Sequence, residues 1–521
     1  MSKLNKKPVA TSTSPSALAP FGRAYSANGN LQDVKGPQHV LFETVVGTLY
    51  GNDAFYETTN DKVVRMRKAL EAVVATHGLQ GARFALNVAR FAREEMFIRT
   101  MPIVMTVELA KILRDRNLNL EGFKQAVTYL IQRADELTDL YAYALSVFGS
   151  KQKVPLSIKK GVAEAFNKFD AYQLGKYNRA DGLKFKDLLR IVHPKPVDEV
   201  HAELFSKIMA ETLEAPYTWE VELSKNGQLP KDEQKSKAAL WEELIFRAGS
   251  GSLGYMALIR NLRNMKEAGI SDFAWSCVAD RIRDQKAVEK SKQLPFGFVN
   301  AYEVAQANKI PQIVLNALND ALEHSFKNMP NLGKNVWIIL DCSGSMMHFS
   351  GYSGFRGGRE DTTGNSPMKL GSIFGAALVK AAKVNAFNMS FTMFSDYAKE
   401  IPLNPADSIF TLYQKIVKSN FGGGTDLQSA LNLKSKLGWE PDTVIVLSDM
   451  EVNSLRGDDP ARLFTKDCVK IAVNLNSRDT TPMSEIRGWT QLSGWSERIF
   501  SFVRFTRESD SVVQKLFDAS K

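Results

Sequence analysis

The 521-residue chain is poor in cysteine: Cys277, Cys342 and Cys468 are all it has, far apart and without CxxC spacing. A disulfide framework and a cysteine-built zinc site are excluded on that count. No uninterrupted apolar stretch approaches the roughly 20 residues that a membrane span needs. The opening "MSKLNKKPVATSTSPSALAP" has no apolar centre of signal-peptide length. A reduced, cytoplasmic protein with no membrane partner is therefore expected, beginning with a flexible arm over residues 1–30. The six histidines form no HExxH or close pair. "GSGSLG" matches GxGxxG, but the preceding "ALWEELIFRA" reads as helix, which fails the strand context of a dinucleotide site. "FGGGTD" lacks the Lys-Ser/Thr of a phosphate-binding loop. No Ser/His/Asp or Cys/His constellation stands out.

What is present is an ordinary apolar and charged composition with a net charge of +10. The excess is uneven. Residues 1–330 hold 45 basic and 37 acidic side chains; the remainder hold 22 and 20. A polyanionic partner for the first part is one reading, and a solvated surface is the other.

The two parts also differ in periodicity. From about residue 36 to 330 it is helical: Val63, Met66, Leu70 and Val74 share one face, as do Phe84, Val88 and Phe91, and Leu109, Ile112 and Leu113. "THGLQG" and "RDRNLNLEG" punctuate the run. Stacked helix pairs in a solenoid-like array follow, without an exact repeat. Beyond "NMPNLGKN" come short β-rich runs, "VWIIL", "MSFTMF", "TVIVLSD", "VKIAVNL" and "RIFSFV", separated by helical segments such as "KLGSIFGAALVKAAK". That alternation predicts a mainly parallel sheet covered on both faces. The expected division is an arm over 1–30, a helical domain over 31–330 and an α/β domain over 331–521. A Gly-rich surface loop is expected within 347–366. The fold class is α plus α/β.

The first strand ends in "VWIILDCSGSM". Side chains at i, i+2 and i+4 of an extended segment point one way, so Asp341, Ser343 and Ser345 can present three oxygens to one point. "NFGGGTDL" adds Thr425 and "TVIVLSDM" adds Asp449 at the carboxyl edge of the sheet, where open α/β sheets bind ligands. Two carboxylates and three hydroxyls form a hard-oxygen set suited to Mg2+. Asp-x-Ser-x-Ser with a later Thr and Asp resembles the metal-ion-dependent adhesion site of von Willebrand factor A domains, over about residues 334–521. The resemblance implies a doubly wound, Rossmann-like parallel sheet and a binding site rather than a catalytic one.

In the helical part, "GKYNRADGLKFKDLLRIVHPKP" (175–196) is dense in cations and aromatics, which suits phosphates and unstacked bases. A charged helix beside a loop is also what an ordinary solvated face looks like. "KFKDLLRIVHPKP", "SLGYMALIRNLRNM" and "GTLY" resemble the TROVE module of Ro autoantigen-type proteins, which in that family precedes a von Willebrand A domain. The resemblance implies a ring of HEAT-like helical pairs closed by the A domain. It implies an outer basic surface for small structured Y RNAs and a central hole for single-stranded 3′ ends of misfolded noncoding RNAs. Lys176, Lys186, Arg190 and His193 match the family's RNA-contacting stretch, and Arg179 lies within it. Arg260 and Arg263, three apart in one expected helix, are candidates for the same surface.

The function this implies is a non-enzymatic, monomeric RNA-binding protein of RNA quality control, with an exoribonuclease as a partner fitting the family pattern. A different reading is a protein-interaction adaptor whose A domain takes an acidic ligand through the metal. A third is a metal-dependent phosphohydrolase using Asp341. That chemistry usually has a second acid two residues on, where this chain has Ser343.

Overall fold

Polar caps and glycine stops cut the helical part into its elements. Asp170 accepts from Gln173 N, Asp198 from His201 N and Ser271 from Ala274 N. Gly149 and Gly269 terminate helices at φ +79° and +74°, a region glycine enters without a Cβ penalty. The computed structural model describes residues 23–25, 31–46, 59–178, 182–247, 253–329, 332–347, 367–452, 463–465, 467–475, 480–483, 489–493 and 512–520. "RIFSFV", Arg179 and all but the first residue of the Gly-rich loop lie outside them.

The helices stack layer on layer. Phe123–Leu130 packs on Leu156–Ala165, which packs on Phe185–Val192, which packs on Glu199–Ala210. Further along, Lys237–Phe246, Asp272–Arg283 and Gln312–Ser325 repeat the arrangement. The break expected at "THGLQG" is present, as a kink between two helices. One helical run spans Thr59–Glu94, and Gly78 interrupts it at φ +54° and ψ −130°. The helix expected to carry Arg260 and Arg263 together is divided at Asn261 into Tyr255–Arg260 and Leu262–Ala268.

Nine short strands are described: β1 Arg23–Tyr25, β2 Leu31–Val34, β3 Asn335–Asp341, β4 Asn388–Phe394, β5 Ala398–Glu400, β6 Thr443–Ser448, β7 Val469–Asn474, β8 Thr480–Thr481 and β9 Thr490–Ser493. Six form one sheet in the order β5-β4-β3-β6-β7-β9. All pairs are parallel except β4–β5 at the edge. The stretch expected as a flexible arm contains β1, which pairs with β2, and β2 pairs in turn with β8. Of the expected arm only residues 23–25 are described, and they reach the α/β part through β2 rather than directly.

Alternation along β3 sends its side chains to two cores. Val336, Ile338 and Leu340 join a cluster that continues through the helical array, whereas Trp337 and Ile339 join one on the other face with Val444, Val446 and Trp489. Both ends of the array touch the α/β part. Near its beginning, Phe517 of the helix Val512–Asp518 lies 4.8 Å from the His77 ring and 5.6 Å from Phe84, and Asn87 donates to Leu516 O at 3.0 Å. At its end, Phe296 packs on Phe374 and Tyr302 on Phe410, each at 4.8 Å, and Lys380 pairs with Glu323 at 3.2 Å. The chain therefore closes on itself.

Ion pairs with a buried carboxylate cross the helical layers. Arg67 donates to Glu108 twice, at 2.9 and 2.6 Å, and Tyr143 OH donates to the same carboxylate at 2.6 Å. Glu108 is 1% exposed, and its hydrogen bonds hold the Arg67 guanidinium well above its usual pKa. Arg67→Met leaves that carboxylate buried with one neutral donor. The expected loss is about 3–5 kcal/mol, read as a lower urea midpoint of the helical circular-dichroism signal.

Candidate functional site

The sheet order reverses at β3: the chain goes from β3 to β4 on one side, then returns to β6 on the other. The carboxyl ends of β3 and β6 therefore flank a crevice. Asp341 is the last residue of β3, and Asp449 follows the last residue of β6. Both are buried, as are Ser343 and Thr425; Ser345 is half-buried.

Hydrogen bonds fix the set from within. Ser343 N donates to Asp341 Oδ1 at 2.8 Å, and the hydroxyls of Ser343 and Ser345 are 3.1 Å apart. Ser448 Oγ donates to Asp341 Oδ2 at 2.6 Å while accepting from Met450 N at 2.9 Å. Glu451 N donates to Asp449 Oδ1 at 3.1 Å. Gly344 N donates to Gly423 O at 3.0 Å and draws the loop before Thr425 onto the turn after β3. Gly423 has φ +107°, and a Cβ there would run into the Asp396 carboxylate and lie 3.3 Å from Ser395 Oγ. Only glycine at this position lets the loop before Thr425 lie so close to the turn after β4.

Burial, and then the neighbouring Asp449 charge, push the Asp341 carboxyl up to about 7 against the hydrogen bonds from Ser343 and Ser448. A cation beside Asp341 and Asp449 would offset both causes of the Asp341 shift. Among the described residues no three His, Cys, Asp or Glu side chains gather around a metal-sized space. Any ion here would rely on hydroxyls and water beside the two carboxylates, a donor set that fits a hard divalent cation. The neighbouring Cys342 thiol is pushed up to about 12 by burial, so it is no nucleophile at neutral pH. Of this set, the sequence reading missed Ser448 and Gly423. A serine closing an apolar run just before an aspartate, and a glycine triplet before Thr425, were the available signals.

The helical candidates are dispersed over separate elements. Lys176 is exposed at the end of Ala171–Tyr177, 5.6 Å over the Tyr177 ring. Lys186, on Phe185–Val192, is held by Glu211 at 2.9 Å. Arg190 is exposed on the same helix, and His193 caps it at φ +48°, also exposed. Arg260 is exposed at the end of its helix, and Arg263, on the next, pairs with Glu267 at 3.4 Å.

A family profile described as the TROVE domain matches residues 207–329. Telomerase protein component 1 of Mus musculus is 42% identical over 300 residues, and that of Rattus norvegicus is 24% identical over 300 residues. Each match covers 42% of this chain and 11% of the relative, so the chain spans about a tenth of their length. Among solved structures, the Deinococcus radiodurans RO (RSR) protein matches with a TM-score of 0.60 at 18% identity, over 91% of this chain and 100% of that one.

Ser448→Ala removes a donor from one buried carboxylate oxygen and an acceptor from a buried backbone N–H. It is expected to destabilise the α/β part by about 1–3 kcal/mol, measurable as a lower midpoint of thermal unfolding.

Proposed function

We propose, on the premise that this chain is a Ro-like TROVE-domain protein, that it binds RNA through the helical array and uses the α/β part as a metal-dependent binding module. The observation that supports the RNA reading is the exposure of the cations Lys176 and Arg190 on two successive helices upstream of the matched segment, with His193 exposed at the end of the second. Cations hold phosphates without reading sequence, so shape and free single-stranded ends would select the RNA. The favoured ligands are small structured Y-like RNAs on the basic surface and single-stranded 3′ ends of misfolded noncoding RNAs, in cytoplasmic RNA quality control. An exoribonuclease is the partner that would consume such RNAs.

Mg2+ is the proposed ion of the crevice. Asp341 and Asp449 would supply its negative ligands, and Ser343, Ser345 and Thr425 their hydroxyls. The ion would neutralise the carboxylate pair and offer a position to an acidic group of a partner. The chain's own part is to hold those oxygens in register through Ser448 and the Gly344–Gly423 contact. A second reading, a protein-interaction adaptor without RNA, is favoured by the rim of this crevice. Tyr397 is 55% exposed there and stacks on Phe421 at 4.6 Å, a surface suited to an apolar partner side chain beside an acidic one.

RNA binding measured against salt tests the first reading. A structured RNA with a single-stranded 3′ tail should bind more tightly than its blunt counterpart. Lys176→Gln with Arg190→Gln should flatten the slope of log K against log salt by about 1 per cation removed. Equal weak binding to both RNAs and to unrelated DNA would sink it in favour of the adaptor.

For the metal, Mg2+ at a hundred times its Kd should stabilise the wild type by about 2.7 kcal/mol, seen as a raised Tm. Asp341→Asn and Asp449→Asn should abolish that response. A Tm rise that survives both would place the ion elsewhere.

A further inference from the structure

One edge of the helical array collects cations and aromatics from three successive layers. The helix Thr59–Glu94 ends there and Thr100–Asp115 begins; Phe123–Leu130 ends and Ala134–Phe148 begins; Ala171–Tyr177 ends. Beneath this edge, Glu136 accepts from Arg93 at 2.7 Å and from Arg99 at 3.3 Å, and Asp135 accepts from Arg99 at 3.1 Å and Arg133 at 3.0 Å. Three guanidiniums thus face two carboxylates. The Arg93 and Glu136 side chains are buried, whereas those of Arg99 and Arg133 are 46% and 41% exposed.

The outward side is a series of cation–aromatic stacks. Arg133 lies 5.1 Å over the Tyr177 ring and donates to its hydroxyl at 2.6 Å, and Lys176 lies over the same ring. Arg90 lies 5.0 Å over Tyr129. Phe97 is 62% exposed and has φ +52°. A left-handed backbone disfavours a phenylalanine, so this ring is presented at a conformational cost.

We propose that this edge is a track for single-stranded nucleic acid, RNA on the reading of the preceding subsection, with Phe97, Arg99, Tyr129, Arg133 and Tyr177 as its stacking and phosphate-binding groups. It rests on that reading but lies outside residues 207–329, the segment matched by the family profile. Single strands are bound by cations that follow the backbone and flat groups on which bases stack, and both occur here side by side. Planar guanidiniums already fixed by Asp135 and Glu136 lose little freedom when a strand arrives.

The test compares wild type, Phe97→Asn and Arg133→Lys. Asparagine tolerates the left-handed backbone, so Phe97→Asn removes the ring without straining the fold. The lysine keeps the charge and loses the plane. The probes are fluorescein-labelled oligouridine and oligodeoxythymidine of about 12 nucleotides, and a blunt hairpin RNA. Each variant should bind oligouridine roughly tenfold more weakly and the hairpin as wild type does, with unchanged circular dichroism. Oligouridine binding that both variants leave intact overturns the track while RNA binding stands. Equal losses for the hairpin overturn its selectivity for single strands, and oligodeoxythymidine binding as tight as oligouridine overturns the RNA assignment. Wild type that binds neither RNA fails the function proposed above, and the track with it.

Discussion

A single apolar core joins the helical array to one face of the sheet, and much else in the molecule depends on that continuity. The cluster that begins at Leu41 runs through the helices, takes in Val336, Ile338 and Leu340 of β3, and reaches Val513 near the C-terminus. The α/β part is therefore not tethered by a linker; it completes a core the array has begun. Closure follows, because the same part meets the beginning of the array through Phe517 and its end through Phe374 and Phe410. A surface formed by this array has a shape set by packing at both ends.

Buried charge plays opposite parts in the two halves. In the array, Glu108, Asp135 and Glu136 are each met by an arginine that is also partly exposed, Arg67, Arg133 and Arg99 in turn. At the sheet edge, Asp341 and Asp449 face each other with hydroxyls and backbone N–H groups around them, and Asp341 is driven toward its protonated form. The first arrangement is complete within the chain. The second has the electrostatics of a site that gains from a positive ion.

The periodicities made the architecture legible. Val63, Met66, Leu70 and Val74 are buried in a helix, and the runs around Val336 and Val444 are strands of one sheet. Asp341, Ser343 and Asp449 meet at its carboxyl edge because strand ends and side-chain alternation are local properties. What depended on tertiary contacts was not legible. The pairing of β1 with β2 and of β2 with β8 has no signature in a polar N-terminal stretch. Asn261 divides a helix that its sequence reads as continuous. The ion pair that occupies Lys186 involves Glu211, 25 positions away. Arg133 and Tyr177 stand 44 positions apart, and only the fold stacks them.

The two-sided burial of β3 constrains how this protein can change. Its even-numbered residues enter the core shared with the array, and its odd-numbered ones, up to Asp341, belong to the opposite face. A single inserted or deleted residue in this strand would exchange Trp337 for a smaller neighbour in one core, overfill the other, and turn the terminal carboxylate away from Asp449. Length changes here are viable only in pairs. Variation in the position of the crevice is thus left to the loops after β3 and β4 and before Thr425, while the strand itself is held to a fixed parity.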